Sequence, residues 1–260
     1  RGAAFALHGA LLAPLADMLG ARVLVVADGA MASLPLAVLV ATPPQGDDAD
    51  PVALAATDWM ARHHAFATLP SVQALAGLRD RGAPEVRPGF LGFGAPDFAG
   101  GSVADVATLY DGARGRAEAV RALPPLPGTR RELLGLARQM GAGEGALRLG
   151  AEATEAAVKA ADFAGAGVVA FATHGLIAGD IRGLAEPALA FTPPDAPDDA
   201  DDGLLTASEA GQLRLAADWV ILSACNTAAP DGTPGAEGLS GLAAAFLYAG
   251  ARGLLVSHWP

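Results

Sequence analysis

Gly167–Gly175, GVVAFATHG, and Asp218–Thr227, DWVILSACNT, decide the reading of this chain. Each is an apolar strand that ends in a side chain able to do chemistry, His174 in the first and Cys225 in the second. On either side of them strands and helices alternate, the pattern of a mostly parallel sheet covered on both faces. In such an open α/β sheet the groups that bind and react collect beyond the carboxyl ends of the strands, where both residues are expected.

Upstream, Leu7–Leu19 spaces Leu11, Leu15, Met18 and Leu19 helically, and Arg22–Ala27 (RVLVVA) is a β-branched run closed by Asp28-Gly29, hence a helix and then a buried strand. Ser33 and Pro35 predict a short helix ending before Pro43-Pro44, with Gln45–Asp50 a solvated acidic loop. His64–Leu69 predicts a strand, Ser71 caps a helix carrying Val72, Leu75 and Leu78, and Gly89–Gly94 (GFLGFG) predicts another strand. From about residue 97 to 127 no periodicity is visible, so a less ordered insertion is expected there. Thr129–Met140 is an amphipathic helix with Arg130, Arg131 and Glu132 outward, and another helix starts at Thr154. A hairpin, the acidic loop 193–203 and a helix from Ser208 separate the two deciding stretches; five Asp among the eleven loop residues predict full exposure. Gly238–Ala249 then reads as a helix and Arg252–His258 as a last strand.

Composition narrows the function. With 260 residues, 52% hydrophobic and 17% charged, the chain can bury a sizeable core, and residues 1–260 are expected to form a single domain. Gly, Pro, Asp or Arg interrupts every apolar run before membrane-spanning length, so no membrane partner is expected. A net charge of −11 argues against nucleic acid and anionic membranes and points to a basic partner or substrate. The lone cysteine excludes a disulfide framework and fits a reducing compartment, the cytoplasm. Lys159 is the only lysine among 17 cationic residues, which reads as codon bias rather than mechanism. The chain begins at Arg1 without a signal sequence, as an excised piece would. No zinc spacing, Walker loop or dinucleotide fingerprint occurs, so no cofactor is implied; His63 and His64, adjacent in sequence, would face opposite sides of a strand and cannot share a metal.

A thiol becomes a useful nucleophile when an imidazole on a separate, rigid element takes its proton. His174 and Cys225 meet that condition on two strand ends, 51 residues apart (225 − 174), close to the separation of about 50 residues in caspases. Gly175 adds an unobstructed backbone N–H, and with the N–H of Cys225 it would make an oxyanion hole. The plainer alternatives are a cysteine that is a buried small hydrophobe and a histidine satisfied at the core rim.

The blocks FATHG (Phe171–Gly175), LSACNT (Leu222–Thr227), Gly235–Trp259, VADGAMASLPL (Val26–Leu36) and GFGAP (Gly92–Pro96) together resemble the CHAT domain over nearly the whole chain. These are caspase-like cysteine peptidases related to separase, often found at the C-terminal end of bacterial tetratricopeptide-repeat proteins. The resemblance implies a caspase-hemoglobinase-like three-layer αβα sandwich with a mostly parallel sheet. It implies His174 as general base and acid, Cys225 as nucleophile, and the Gly175 and Cys225 amides as oxyanion donors. A cysteine endopeptidase with a His-Cys dyad and a thioester intermediate follows, acting on a protein substrate under the control of upstream repeats or a partner. A catalytically silent scaffold module is the alternative. In the wider caspase-like group a residue near the end of the first core strand lines the S1 pocket; here that is Asp28, which would receive a basic P1 side chain, unless Asp28-Gly29 is simply a turn. Glu209 and Glu237 are further acidic candidates, although Glu237 equally suits the cap of its helix. The acidic loop lies where caspases have the linker they cut.

Overall fold

The structure is a computed structural model that describes residues 1–27, 31, 34–69, 71–80, 87–101, 112–224 and 241–256. Contacts divide the chain into two compact units, Arg1–Asp80 and Arg81–Pro260.

In the first unit α1 (Gly2–Leu11) runs into a 3-10 turn at Ala13–Met18, because Pro14 cannot donate the hydrogen bond that would carry the α-helix to Leu19. Strand β1 (Arg22–Val25) pairs in parallel with β2 (Ala65–Thr68) in a two-stranded sheet. The buried strand expected at residues 22–27 is therefore corrected: β1 alternates exposed and half-buried residues. The core of this unit is Leu12, Leu36, Leu39 and Met60. A 3-10 turn at Leu36–Val38 stands where a short helix was expected. Helix α2 (Pro51–Ala56), unpredicted, is capped by the Asp50 side chain on the Val52 N–H. The loop 45–50 closes round the Arg1 guanidinium, which donates to the Gln45 and Gly46 carbonyls and to Asp48. His63 holds Asp58 at 2.6 Å while His64 holds the Gly20 carbonyl at 2.7 Å, so the two imidazoles have separate partners. Helix α3 (Val72–Asp80) follows Ser71 as expected.

The second unit contains β3 (Gly89–Gly94), α4 (Gly112–Arg121), α5 (Thr129–Gln139), β4 (Leu147–Leu149), α6 (Glu155–Lys159) and β5 (Ala166–Ala172). These are followed by β6 (Gly175–Leu176), β7 (Ala188–Ala190), β8 (Leu204–Thr206), α7 (Ala207–Ala210), β9 (Trp219–Ser223), α8 (Gly241–Tyr248) and β10 (Gly253–Val256). Five strands form one sheet in the order β10-β9-β5-β3-β4, every neighbouring pair parallel. Successive side chains divide between two faces. Val169, Phe171, Phe93, Val220 and Leu222 enter the larger core with Phe163, Leu213 and Phe246, under α6, α7 and α8. Ala170, Ala172 and Phe90 face the other way and pack with Leu133 and Ala137 of α5. This is the expected three-layer αβα sandwich with a mostly parallel sheet.

Glycine sets the spacing at the carboxyl end of β3. A Cβ on Gly94 would lie 2.4 Å from the Ala172 carbonyl oxygen and 2.8 Å from Leu133 Cδ1, so the β3–β5 ladder and α5 close only over a hydrogen. Gly94→Ala is expected to cost about 2–3 kcal/mol in urea denaturation, since backbone on one side and a core leucine on the other must both yield. A loss below about 0.5 kcal/mol would show that the strands relax freely.

Two expectations about loops are corrected. The supposed insertion at 97–127 contains α4, whose buried residues are Gly115, Ala117, Ala119 and Val120; so small an apolar face leaves little periodicity to see. Residues 102–111 lie outside the described residues. The acidic loop 193–203 is not wholly exposed, because Asp202 is 7% exposed and Pro193 and Gly203 are buried. Arg116 of α4 binds Asp202 and, at 3.0 Å, Asp199. From the other side the buried Glu155 carboxylate accepts the N–H groups of Asp202 (3.0 Å) and Gly203 (2.9 Å). Lys159 binds Glu155, the Ala200 carbonyl at 2.7 Å and Glu209 at 2.7 Å. Burial pushes the Glu155 carboxyl up to about 7, against the pull of Lys159. Asp201 and Asp202 are raised by burial as well, whereas Glu209, though also partly buried, is lowered by its bonds from Lys159 and Thr206. A loop whose charges are paired one by one can pack, which an Asp count alone does not reveal.

Candidate functional site

His174 occupies a junction between two sheets. The parallel ladder continues one residue past β5, where the Thr173 N–H donates to the Ser223 carbonyl at 3.3 Å. At the next residue the His174 carbonyl accepts the Ala190 N–H at 3.0 Å, and the chain enters the antiparallel sheet β6-β7-β8. Thr173 is 2% exposed and its hydroxyl donates to the Ala190 carbonyl. The backbone of His174 is thus held from both directions.

The imidazole is half-buried, and its Nε2–H donates to the Pro124 carbonyl at 2.8 Å. That bond selects the neutral tautomer with the lone pair on Nδ1, leaving Nδ1 as the basic atom. Beside the ring stands Phe98, centroids 5.4 Å apart with the planes at 42°. Phe98 is 7% exposed and belongs to the core of Val120, Leu123, Leu176, Ile181, Ala190 and Leu204 under α4.

Gly175 is buried and faces Leu189 across the β6–β7 ladder. Because Ala190 already donates to the His174 carbonyl, Gly175–Leu189 is a non-hydrogen-bonded pair, and the Gly175 N–H points away from β7.

The neighbouring strand end belongs to the cysteine block. Residues of β5 face residues of β9 located 51 positions later, from Val168 opposite Trp219 to Ala172 opposite Ser223. Ser223 donates its hydroxyl to Glu132 of α5 at 3.0 Å, so Glu132, read as merely outward, fastens the helix to this end of β9. Ala224 is buried at 7%. Cys225, Asp28 and Glu237 lie outside the described residues. Glu209 has both oxygens engaged, by the capping box of Thr206 and by Lys159, and offers no open carboxylate to a basic substrate.

The Pro124 carbonyl and the Phe98 ring escape sequence reading. A backbone acceptor has no side-chain signature, and a phenylalanine in an aperiodic stretch looks like any core residue. Among the described residues no group of three or more His, Cys, Asp or Glu is arranged to hold a metal ion, and no helix is long and apolar enough to cross a membrane. No curated protein matches the chain significantly. The CHAT domain family is matched over residues 1–260, with a strand-end histidine and the parallel sheet to go with it, and the chain belongs to that family, kin to the caspase-like cysteine peptidases.

Proposed function

We propose that residues 1–260 act as one cysteine endopeptidase domain that hydrolyses a peptide bond through His174 and Cys225. The observation that supports this is the ladder between β5 and β9, whose offset of 51 residues equals the separation of His174 from Cys225 along the chain.

In the proposed reaction the Cys225 thiol gives its proton to His174 Nδ1 and the sulfur attacks the scissile carbonyl carbon. The oxygen takes up the negative charge and is held by the N–H groups of Gly175 and Cys225. Collapse breaks the C–N bond, His174 returns its proton to the departing amine, and a thioester remains. Water, deprotonated by His174, then attacks the thioester carbonyl and releases the acid and the thiol. The Pro124 carbonyl accepts from Nε2–H and steadies the imidazolium each time it forms. Asp28 is the proposed acceptor of a basic P1 side chain, and upstream repeats or a partner the proposed control. A reducing, cytoplasmic setting suits the lone thiol.

A peptide library read by mass spectrometry, with iodoacetamide labelling in parallel, tests this reading. Cleavage after Arg or Lys is expected, together with rapid alkylation of Cys225 at pH 6.5 that slows about tenfold or more in His174→Ala. Equal alkylation in both chains with no cleaved peptide would leave a silent scaffold module in its place.

A further inference from the structure

We infer that Phe98 is a positioning residue for the proposed reaction, one that holds the His174 imidazole in the orientation in which Nε2 donates to Pro124 and Nδ1 is left as the base; this rests on the peptidase reading above. The second torsion of a histidine is broad and roughly two-fold, so a half-buried imidazole is not fixed by its rotamer alone. The Nε2–Pro124 bond restrains one end of the ring. Turning the ring over would place a carbon where Nε2 donates and carry the Nδ1 lone pair to the opposite edge of the imidazole. Phe98 opposes that motion, because its ring stands against the imidazole at 5.4 Å and 42° and is itself locked in the core under α4.

The two supports of the imidazole are also tied to each other. Ala99 N–H donates to the Arg121 carbonyl at 2.8 Å and Gly100 N–H to the Leu123 carbonyl at 3.2 Å, so the segment bearing Phe98 is clamped to the one bearing Pro124. On the other side the Asp97 N–H donates to Thr192 Oγ1 at 2.9 Å, and that hydroxyl donates to the Gly150 carbonyl at 2.9 Å. Ahead of Phe98 the chain passes through Ala95 at φ +47°, a left-handed conformation unusual for alanine, held by its N–H on the Ala172 carbonyl and its own carbonyl on the Gly150 N–H. Phe98 is delivered to the imidazole by a backbone fixed at several points.

The test uses the full chain, with Phe98→Leu, which keeps an apolar side chain in the core, and Phe98→Tyr, which keeps the ring. The first readout is the tautomer of His174, by long-range proton–nitrogen NMR at pH 8. The parent and Phe98→Tyr are expected to hold the Nε2–H form, whereas Phe98→Leu shows a mixture. The second is peptide cleavage, where Phe98→Leu is expected to lower kcat about tenfold or more with KM within about twofold, and Phe98→Tyr to restore it. A folded Phe98→Leu chain with the parent's tautomer and kcat overturns the inference. A tautomer that responds to Phe98 in a chain that cleaves no peptide supports the positioning role and removes the peptidase reading instead.

Discussion

Cys225→Ala is expected to abolish cleavage of every peptide the parent chain cuts, with product formation falling at least about a thousandfold, while the melting midpoint stays within about 3 °C. Without the sulfur no thioester can form, and water acting alone lacks the covalent route that divides the reaction into two lower barriers. His174→Ala is expected to lose activity to a similar degree, and the double variant to lose little more, because the two groups perform one step jointly. The parent must be assayed beside the variants under reducing conditions, since an oxidised lone thiol would imitate Cys225→Ala. Cleavage by Cys225→Ala at the parent rate would remove the nucleophile from the proposal. Roughly additive losses in the double variant would separate the two residues into independent roles.

These expectations rest on residues legible in the sequence, because strand ends carry the chemistry of an open α/β sheet. GVVAFATHG and DWVILSACNT are found as strands where their apolar runs lie, and the order of the blocks leads to the family. Hydrophobic runs report burial, and burial on both faces is what a parallel sheet between helices imposes. Less legible is whatever depends on small residues or on pairing at long range. Helix α4 buries alanine and glycine, so its segment looks aperiodic. The β1 run reads as buried, yet β1 lies in a two-stranded sheet with Leu24 51% exposed, since β-branched composition specifies a strand and not its neighbours. Pro124 and Phe98 contact the imidazole through a carbonyl oxygen and a tilted ring, features that emerge only when segments 50 and 76 residues away in sequence fold against His174.

The acidic loop between the two blocks yields the other large effect, since its fastening is both buried and titratable. Glu155, 1% exposed, keeps its proton up to about pH 7, whereas an unfolded glutamate releases it near 4.5. Between those values the folded chain binds more protons than the unfolded one, so the contribution of Glu155 is fully present below about 4.5 and is lost as pH rises through about 7. Asp201 and Asp202, raised too, act in the same sense at lower pH, while Glu209, lowered, acts in the opposite one. The contribution is therefore isolated by difference. Subtracting the urea stability profile of Glu155→Gln from that of the parent is expected to leave a fall of up to about 3 kcal/mol between pH 4.5 and 8. Parallel profiles would show that Glu155 titrates as a solvated carboxylate. Lys159 sharpens the expectation, for its ammonium meets three acceptors, Glu155, Glu209 and the Ala200 carbonyl. A tetrahedral head with three donors can meet all three at once, whereas a guanidinium presents its donors in one plane. Lys159→Met is expected to destabilise by about 3 kcal/mol or more at pH 8, where Glu155 is charged and left without its cation. At pH 5, with Glu155 protonated, much of that loss should disappear, and Lys159→Arg should recover only part of the stability at pH 8. Full recovery by arginine would mean that positive charge alone fastens the loop.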